Sequence, residues 1–189
     1  MPSALALACS LARAVDARTV AATSALVGRW RPLDLTAAVV ARHLAKLHVV
    51  LLVLLFLGGR GPMGWRRRET ALRIAVALPV TIGVVGIVGR LANRRRPFAY
   101  DSGPTALVEH APGRSFPSRH SACAAAMTAI ALPATPIVGA LMGIGAVGLA
   151  LSRVYTGLHY PSDVLGGWLI GAAIGIIARQ KELPRVPWT

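Results

Sequence analysis

Uninterrupted apolar runs are the feature that most constrains this chain, because several reach the ~17–25 residues that carry a helix across a bilayer. They lie at about 35–57, 71–91, 137–151 and 161–178, with a shorter Ala-rich run at 118–132. Inside lipid every backbone N–H and C=O must find its partner within the segment, so such runs are helices or closed barrels. The apolar residues fall in long runs, not in short alternating patches. The expected fold is all-α, a polytopic membrane helix bundle of about five transmembrane helices. Small residues support this, since Gly167, Gly171 and Gly175 recur every fourth position, as do Gly139 and Gly143. Pro79 is a possible kink in the second span, and Pro133 to Pro136 is read as a tight turn.

Residues 11–30 read differently. Leu11, Val15, Val20, Leu26 and Val27 are interleaved with Arg13, Asp16, Arg18 and Arg29, the pattern of an amphipathic helix lying on the membrane surface. The first half of the first span carries Arg42, His43, Lys46 and His48, and charge at that depth places this half in the interface. Three segments follow: an interfacial segment at 1–33, a transmembrane domain at 34–180 and a cytoplasmic tail at 181–189.

The formal charge is +14. A nucleic-acid partner is not expected, because no basic segment is interleaved with aromatics and no reader motif is present. The arginines sit at the ends of apolar runs, where membrane orientation explains them. Arg66, Arg67 and Arg68, read as part of a loop at 58–68, mark that loop as cytoplasmic, and Arg179, Lys181 and Arg185 mark the tail likewise. The spans between them return the chain to the same side. The stretches at 92–117 and 152–160 then share the opposite, external face.

The residues with chemistry gather on those two stretches. Arg94, Arg95 and Arg96 cannot be a second cytoplasmic anchor on the same span, so they suit an anion, which a planar guanidinium pairs with well. Ser118 resembles an N-cap, placing His120 in the first turn of a helix, where free N–H groups favour an anion. His159 precedes Pro161 at another helix start, and Asp163 follows four residues later, a spacing suited to orienting an imidazole. Either histidine alone would be read as structural. Both together, with Arg96, Arg153 and Asp163, point to phosphate chemistry. Cys9 and Cys123 form no framework, no His/Cys/Glu cluster has metal spacing, and no Walker loop or nucleophile elbow competes. Neither a metal nor another cofactor is expected.

This pattern resembles the type 2 phosphatidic acid phosphatase superfamily, which also contains the vanadium haloperoxidases. The family's blocks are K-x6-R-P, P-S-G-H and S-R-x5-H-x3-D. The third is complete here as Ser152-Arg153, His159 and Asp163, the second reads Pro117-Ser118-Arg119-His120, and the first ends in Arg96-Pro97. The departures are Gly89 in place of the Lys, with Arg90 as the neighbour that could substitute, and Arg119 in place of the Gly. The second departure, the small size and the N-terminal helix resemble the bacterial undecaprenyl-diphosphate phosphatases of the bacitracin-resistance type.

The resemblance implies a metal-independent lipid phosphatase. His159 would attack phosphorus to form a phosphohistidine, His120 would protonate the leaving group and Asp163 would orient His159. Arg96, Arg153, Ser118, Arg119, Arg90 and Ser152 would make up the phosphate site. The implied partners are the bilayer and a lipid phosphate or diphosphate, foremost undecaprenyl diphosphate. The implied location is the plasma (inner) membrane, with the active site on the external, periplasmic face. Phosphatidate, phosphatidylglycerophosphate or a prenyl-linked sugar phosphate are alternative substrates. A catalytically silent protein that only binds anionic lipid is the non-enzymatic alternative. Oligomeric state is left open.

Overall fold

A computed structural model describes residues 3–58, 64–100, 103, 106–110 and 113–180. The expected basic residues Lys181 and Arg185 lie outside the described residues, as does most of the 58–63 loop. Among the described residues the elements are α1 (Ala4–Leu26), α2 (Arg31–Leu57), α3 (Gly64–Ala92), a 3₁₀ turn (Pro97–Ala99), α4 (Arg119–Ala134), α5 (Pro136–Tyr155) and α6 (Pro161–Gln180). The described residues form an all-α fold, as expected. Prolines open α2, α5 and α6 within their first two positions, where the missing N–H costs nothing.

Four helices, α2, α3, α5 and α6, are long and apolar enough to cross a membrane. The fifth expected span is α4, whose 16 residues measure only ~24 Å. It is enclosed by its neighbours, and Ala122, Ala124, Ala126, Met127, Ile130 and Ala131 are all buried.

Several boundaries differ from the sequence reading, each for a local reason. The arginines 66–68 are in the first turns of α3, not in a loop. At 29 residues α3 is ~44 Å long, so its end projects past a ~30 Å hydrocarbon layer without unwinding. Pro133 lies inside the last turn of α4, and the break falls at Thr135, whose amide bonds Ala131 O at 2.7 Å. Helix α5 continues through Ser152 and Arg153, which the sequence placed at the start of a loop. Both are buried against other helices, so their polarity does not end it. What ends it is Gly157 at φ +74°, the left-handed position that closes a helix C-terminus. His48 is buried within the protein, with Nδ1 2.9 Å from Leu44 O and Nε2 3.0 Å from Met142 O. Arg42, His43 and Lys46 are on the exposed face of the same helix.

The two ends of the bundle are distinct. Arg73 Nη1 donates to Ala178 O (2.9 Å) and Arg179 O (3.1 Å), while its Nη2 pairs with Glu69 (2.7 Å). The start of α3 and the end of α6 therefore share one end, as the count of crossings requires. The end of α3 and the starts of α4 and α6 share the other.

Helix α6 rests on α4 through its glycines. A Cβ at Gly167, Gly171 or Gly175 would meet the carbonyl oxygens of Ser118, Ala122 and Ala126 respectively. At Gly171 the overlap is with backbone that cannot move aside. Gly171→Val is expected to abolish the folded, monodisperse protein in detergent. Gly83→Ala, where nothing lies within 4 Å, is expected to leave the thermal midpoint unchanged or slightly raised.

Candidate active site

Where α5 ends, the chain turns back within a few residues to begin α6, and His159 sits in that link. Its position is set by the end of α5, since the amides of Leu158 and His159 both donate to Arg153 O at 3.1 Å. Its side chain is almost wholly buried, at 2 % exposed. Nε2 lies 3.0 Å from Arg96 Nη1, which also donates to Leu158 O at 3.0 Å. A guanidinium can only donate, so Nε2 must be the unprotonated nitrogen, with its lone pair accepting from Arg96. The ring proton then belongs on Nδ1, which faces Asp163 Oδ2 at 3.6 Å. Burial, the largest influence, pushes the His159 pKa down, while Asp163 pulls it up and Arg96 and Arg153 push it further down. The imidazole is therefore neutral near pH 7, with its basic nitrogen available.

Asp163 is fully buried and saturated. Oδ2 accepts from the Tyr160 amide (2.8 Å) and Oδ1 from Arg94 Nη1 (2.9 Å). Its carbonyl accepts from the Ser118 amide at 2.9 Å, tying the start of α6 to the start of α4. Ser118 caps α4, as its sequence position suggests, and its Oγ also accepts from Ser121 Oγ at 2.9 Å. His120 follows in the first turn.

His120 and His159 line one cleft of about 280 Å3, together with Arg96, Arg114, Arg119 and His110. Ile82, Val85, Gly86 and Gly89 of α3 form an apolar wall facing these groups. Ile82 is exposed on this helix, which is long and apolar enough to cross a membrane.

The other expected residues divide. Arg153 is buried, donates Nη2 to Ala41 O at 2.9 Å, and is near enough to act electrostatically on His159. Ser152 turns its hydroxyl to Leu149 O (2.8 Å) within α5 and does not line the cleft. Arg90 is exposed and does not line it either. The arginine triplet separates: Arg96 enters the cleft, Arg95 is exposed, and Arg94 is taken up by carboxylates. In an extended segment neighbouring side chains point apart, so three consecutive arginines cannot serve one anion.

Arg114 was missed by sequence reasoning. Its backbone pairs antiparallel with Arg95, and Ser115 fixes the register by donating its amide to Arg94 O (2.8 Å) and its hydroxyl to Arg95 O (3.0 Å). A Cβ on Gly89 would lie 4.0 Å from Arg114 Cδ. The nearest atom to that Cβ would be Phe116 O at 3.2 Å, so the side chain of Arg114 runs beside the glycine without filling its position. Among the described residues no group of three or more His, Cys, Asp or Glu side chains is placed to hold a metal ion.

A bundle of membrane-crossing helices with two histidines and several guanidinium groups lining one cleft at one end suits the class of membrane enzymes that act on phosphate groups. The chain belongs to the PAP2 superfamily, whose family profile matches residues 70–185. It is 36% identical over 160 residues to the decaprenylphosphoryl-5-phosphoribose phosphatase of Mycobacterium tuberculosis, covering 84% of this chain and 85% of that one. It is 33% identical over 120 residues to an undecaprenyl-diphosphatase of Sulfolobus acidocaldarius, covering 62% of this chain and 57% of that one. Its fold is similar to that of a transmembrane PAP2-type phosphatidylglycerolphosphate phosphatase from Bacillus subtilis, with TM-score 0.66 and 23% identity over 92% of this chain and 85% of that one. The protein is a multi-pass membrane lipid phosphatase, a hydrolase of phosphate esters or anhydrides.

Proposed function

We propose that the enzyme removes the terminal phosphate of undecaprenyl diphosphate through a phosphohistidine on His159. The observation that carries this reading is the lone pair of His159 Nε2, held at the cleft by Arg96 beside His120 and further guanidinium groups. In the first step Nε2 attacks the terminal phosphorus and the bond to the bridging oxygen breaks. Burial and the cations around it, Arg153 and Arg119 foremost, push the His120 pKa down to about 3 in the empty cleft. In this reading the incoming diphosphate offsets those charges, His120 takes up a proton with it, gives that proton to the bridging oxygen, and undecaprenyl phosphate leaves. Asp163 balances the positive charge that His159 acquires. In the second step His120 takes a proton from water, the water oxygen bonds to phosphorus, the P–N bond breaks and phosphate departs. Arg96 and Arg153 provide fixed positive charge for the transferring group. Transmembrane segment 34–180 supplies these groups. Arg66–Arg68 at the opposite end of α3 support, by the positive-inside rule, a cleft on the external face, which in this reading is that of the plasma membrane.

Arg114 and Arg119 are cations beyond those that a single phosphoryl group needs. They suit the second phosphate of a diphosphate, with the prenyl tail leaving along the α3 wall. A prenyl-linked sugar phosphate is the second reading, favoured by the Mycobacterium tuberculosis relative, whose similarity extends along most of both chains. Phosphate release from undecaprenyl diphosphate, a prenylphosphoryl sugar phosphate, phosphatidate and phosphatidylglycerophosphate separates these readings. The expected kcat/KM is highest for the diphosphate. Arg114→Ala should lower it about 10–100-fold more for the diphosphate than for phosphatidate, the range for a hydrogen bond to a charged group. Equal losses on the two lipids would remove Arg114 from the second phosphate. Preference for the sugar phosphate would install the second reading.

A further inference from the structure

The N-terminal helix lies outside the region that matches the PAP2 profile, and most of its surface is exposed. Asp16 is the exception. It is the one acidic residue of α1 and is only 3 % exposed. Its Oδ1 accepts from the Ser162 amide at 3.0 Å, in the first turn of α6. Its Oδ2 accepts from Ser162 Oγ at 2.6 Å and from Arg94 Nη2 at 2.7 Å. Arg94 in turn donates Nη1 to Asp163 Oδ1 (2.9 Å) and Ser162 Oγ (2.7 Å), and lies over the Tyr160 ring at 3.8 Å. The other oxygen of Asp163 is the one that faces His159 Nδ1. A continuous row of alternating charge therefore runs from α1 to the imidazole: carboxylate, guanidinium, carboxylate, ring.

The order of charges matters. Asp163 must stabilise the positive charge that His159 acquires on phosphorylation. Arg94 draws on the same carboxylate. With Asp16 in place, Arg94 is shared between two anions, and Asp163 keeps negative charge for the imidazole. With Asp16 neutral, Arg94 is balanced by Asp163 alone, and its pull on that carboxylate opposes the orientation of His159. We propose that Asp16 is a positioning residue for catalysis, supplied by the N-terminal helix and acting on His159 through Arg94 and Asp163. This rests on the reading of His159 as the nucleophile.

Asp16→Asn tests it, because the amide is nearly the same size and keeps an acceptor for the Ser162 amide while losing the charge. With undecaprenyl diphosphate in detergent micelles, kcat is expected to fall about tenfold or more, as for groups that hold a functional side chain at one remove. KM is expected to stay within about twofold, since Asp16 does not line the cleft. In an Arg94→Gln background the same substitution should change kcat by less than about twofold, because the intermediary is gone. Wild-type kcat in Asp16→Asn would overturn the proposal. So would an equal loss in both backgrounds, or a loss confined to KM. If Asp16→Asn lowers the thermal midpoint, Ser162→Ala carries the test. It removes the bridging hydroxyl but leaves every charge and the direct Asp16–Arg94 pair in place, so kcat within about twofold of wild type is expected, and a loss as large as that of Asp16→Asn overturns the idea that the charge is what acts. His159→Ala in the same assay keeps the two readings apart. Residual turnover there refutes the nucleophile, whereas an inactive His159→Ala beside a fully active Asp16→Asn refutes Asp16 alone.

Discussion

Purified His159→Ala protein is expected to release phosphate at least about 10⁴-fold more slowly than wild type, while its yield and thermal midpoint are retained. The size of the effect follows from the site. His159 Nε2 is the basic nitrogen whose acceptor state is fixed by a donor-only neighbour, and no cysteine thiol lines the cleft to replace it. A rapid quench with labelled diphosphate should capture an acid-labile, base-stable phosphoryl adduct on wild type and none on His159→Ala. A labelled alanine variant would place the nucleophile elsewhere. The pH dependence follows from the same environment. Burial holds the His159 pKa below the usual imidazole range despite Asp163. Attack requires the neutral ring, so activity is lost as pH falls through that lowered pKa. The acid limb of kcat/KM, which reports the free enzyme, should therefore lie below the ordinary imidazole value of about 6.5.

Arg96→Ala should lower kcat by about 10³-fold, and Arg96→Lys should recover little of it. Arg96 is buried at 9 % exposure, and a single nitrogen, Nη1, reaches both Leu158 O and His159 Nε2. It holds the link that carries His159, and in the proposed mechanism it would donate to an incoming phosphoryl oxygen. Its second hydrogen bond would then pass from the imidazole to the phosphate, freeing the lone pair for attack. A lysine offers a point charge without the planar fork, and from this depth it cannot serve the carbonyl and the phosphate together. Substantial activity in Arg96→Lys would show that charge alone suffices. Single-turnover rates in both variants distinguish a slowed transfer step from weakened binding.

Much of this arrangement was legible in the chain. Apolar run lengths located the helices that cross, and the four-residue glycine spacing marked the face of α6 that meets α4. Ser118 and Pro161 marked the helix starts that carry His120 and position Asp163. The count of crossings brought residues 92–117 and 152–160 to one end because it rests on charge, which membrane insertion reads too. The misreadings share a cause: a charged residue was treated as the end of a helix. Ser152 and Arg153 continue α5 because they are buried among helices, and Gly157 was the better stop signal. Arg66–Arg68 stay helical because α3 is longer than the layer it crosses. His48 is buried because it shares a face of α2 with Ala37 and Ala41, which its polarity alone did not reveal. Arg114 and Asp16 were not legible. Each depends on pairing between segments far apart in sequence, Arg114 with Arg95 and Asp16 with Ser162 and Arg94, and no local pattern encodes such a partner.

The apolar wall that α3 gives the cleft changes what concentration means for this enzyme. A substrate arriving past Ile82 and Val85 comes sideways, within the plane of the leaflet, not from bulk water. Turnover should then track the mole fraction of lipid in a vesicle or mixed micelle, and inert amphiphile added at fixed bulk substrate should slow it by surface dilution. Water-soluble phosphate esters, which lack a tail to partition, would reach the same histidines only from the aqueous mouth.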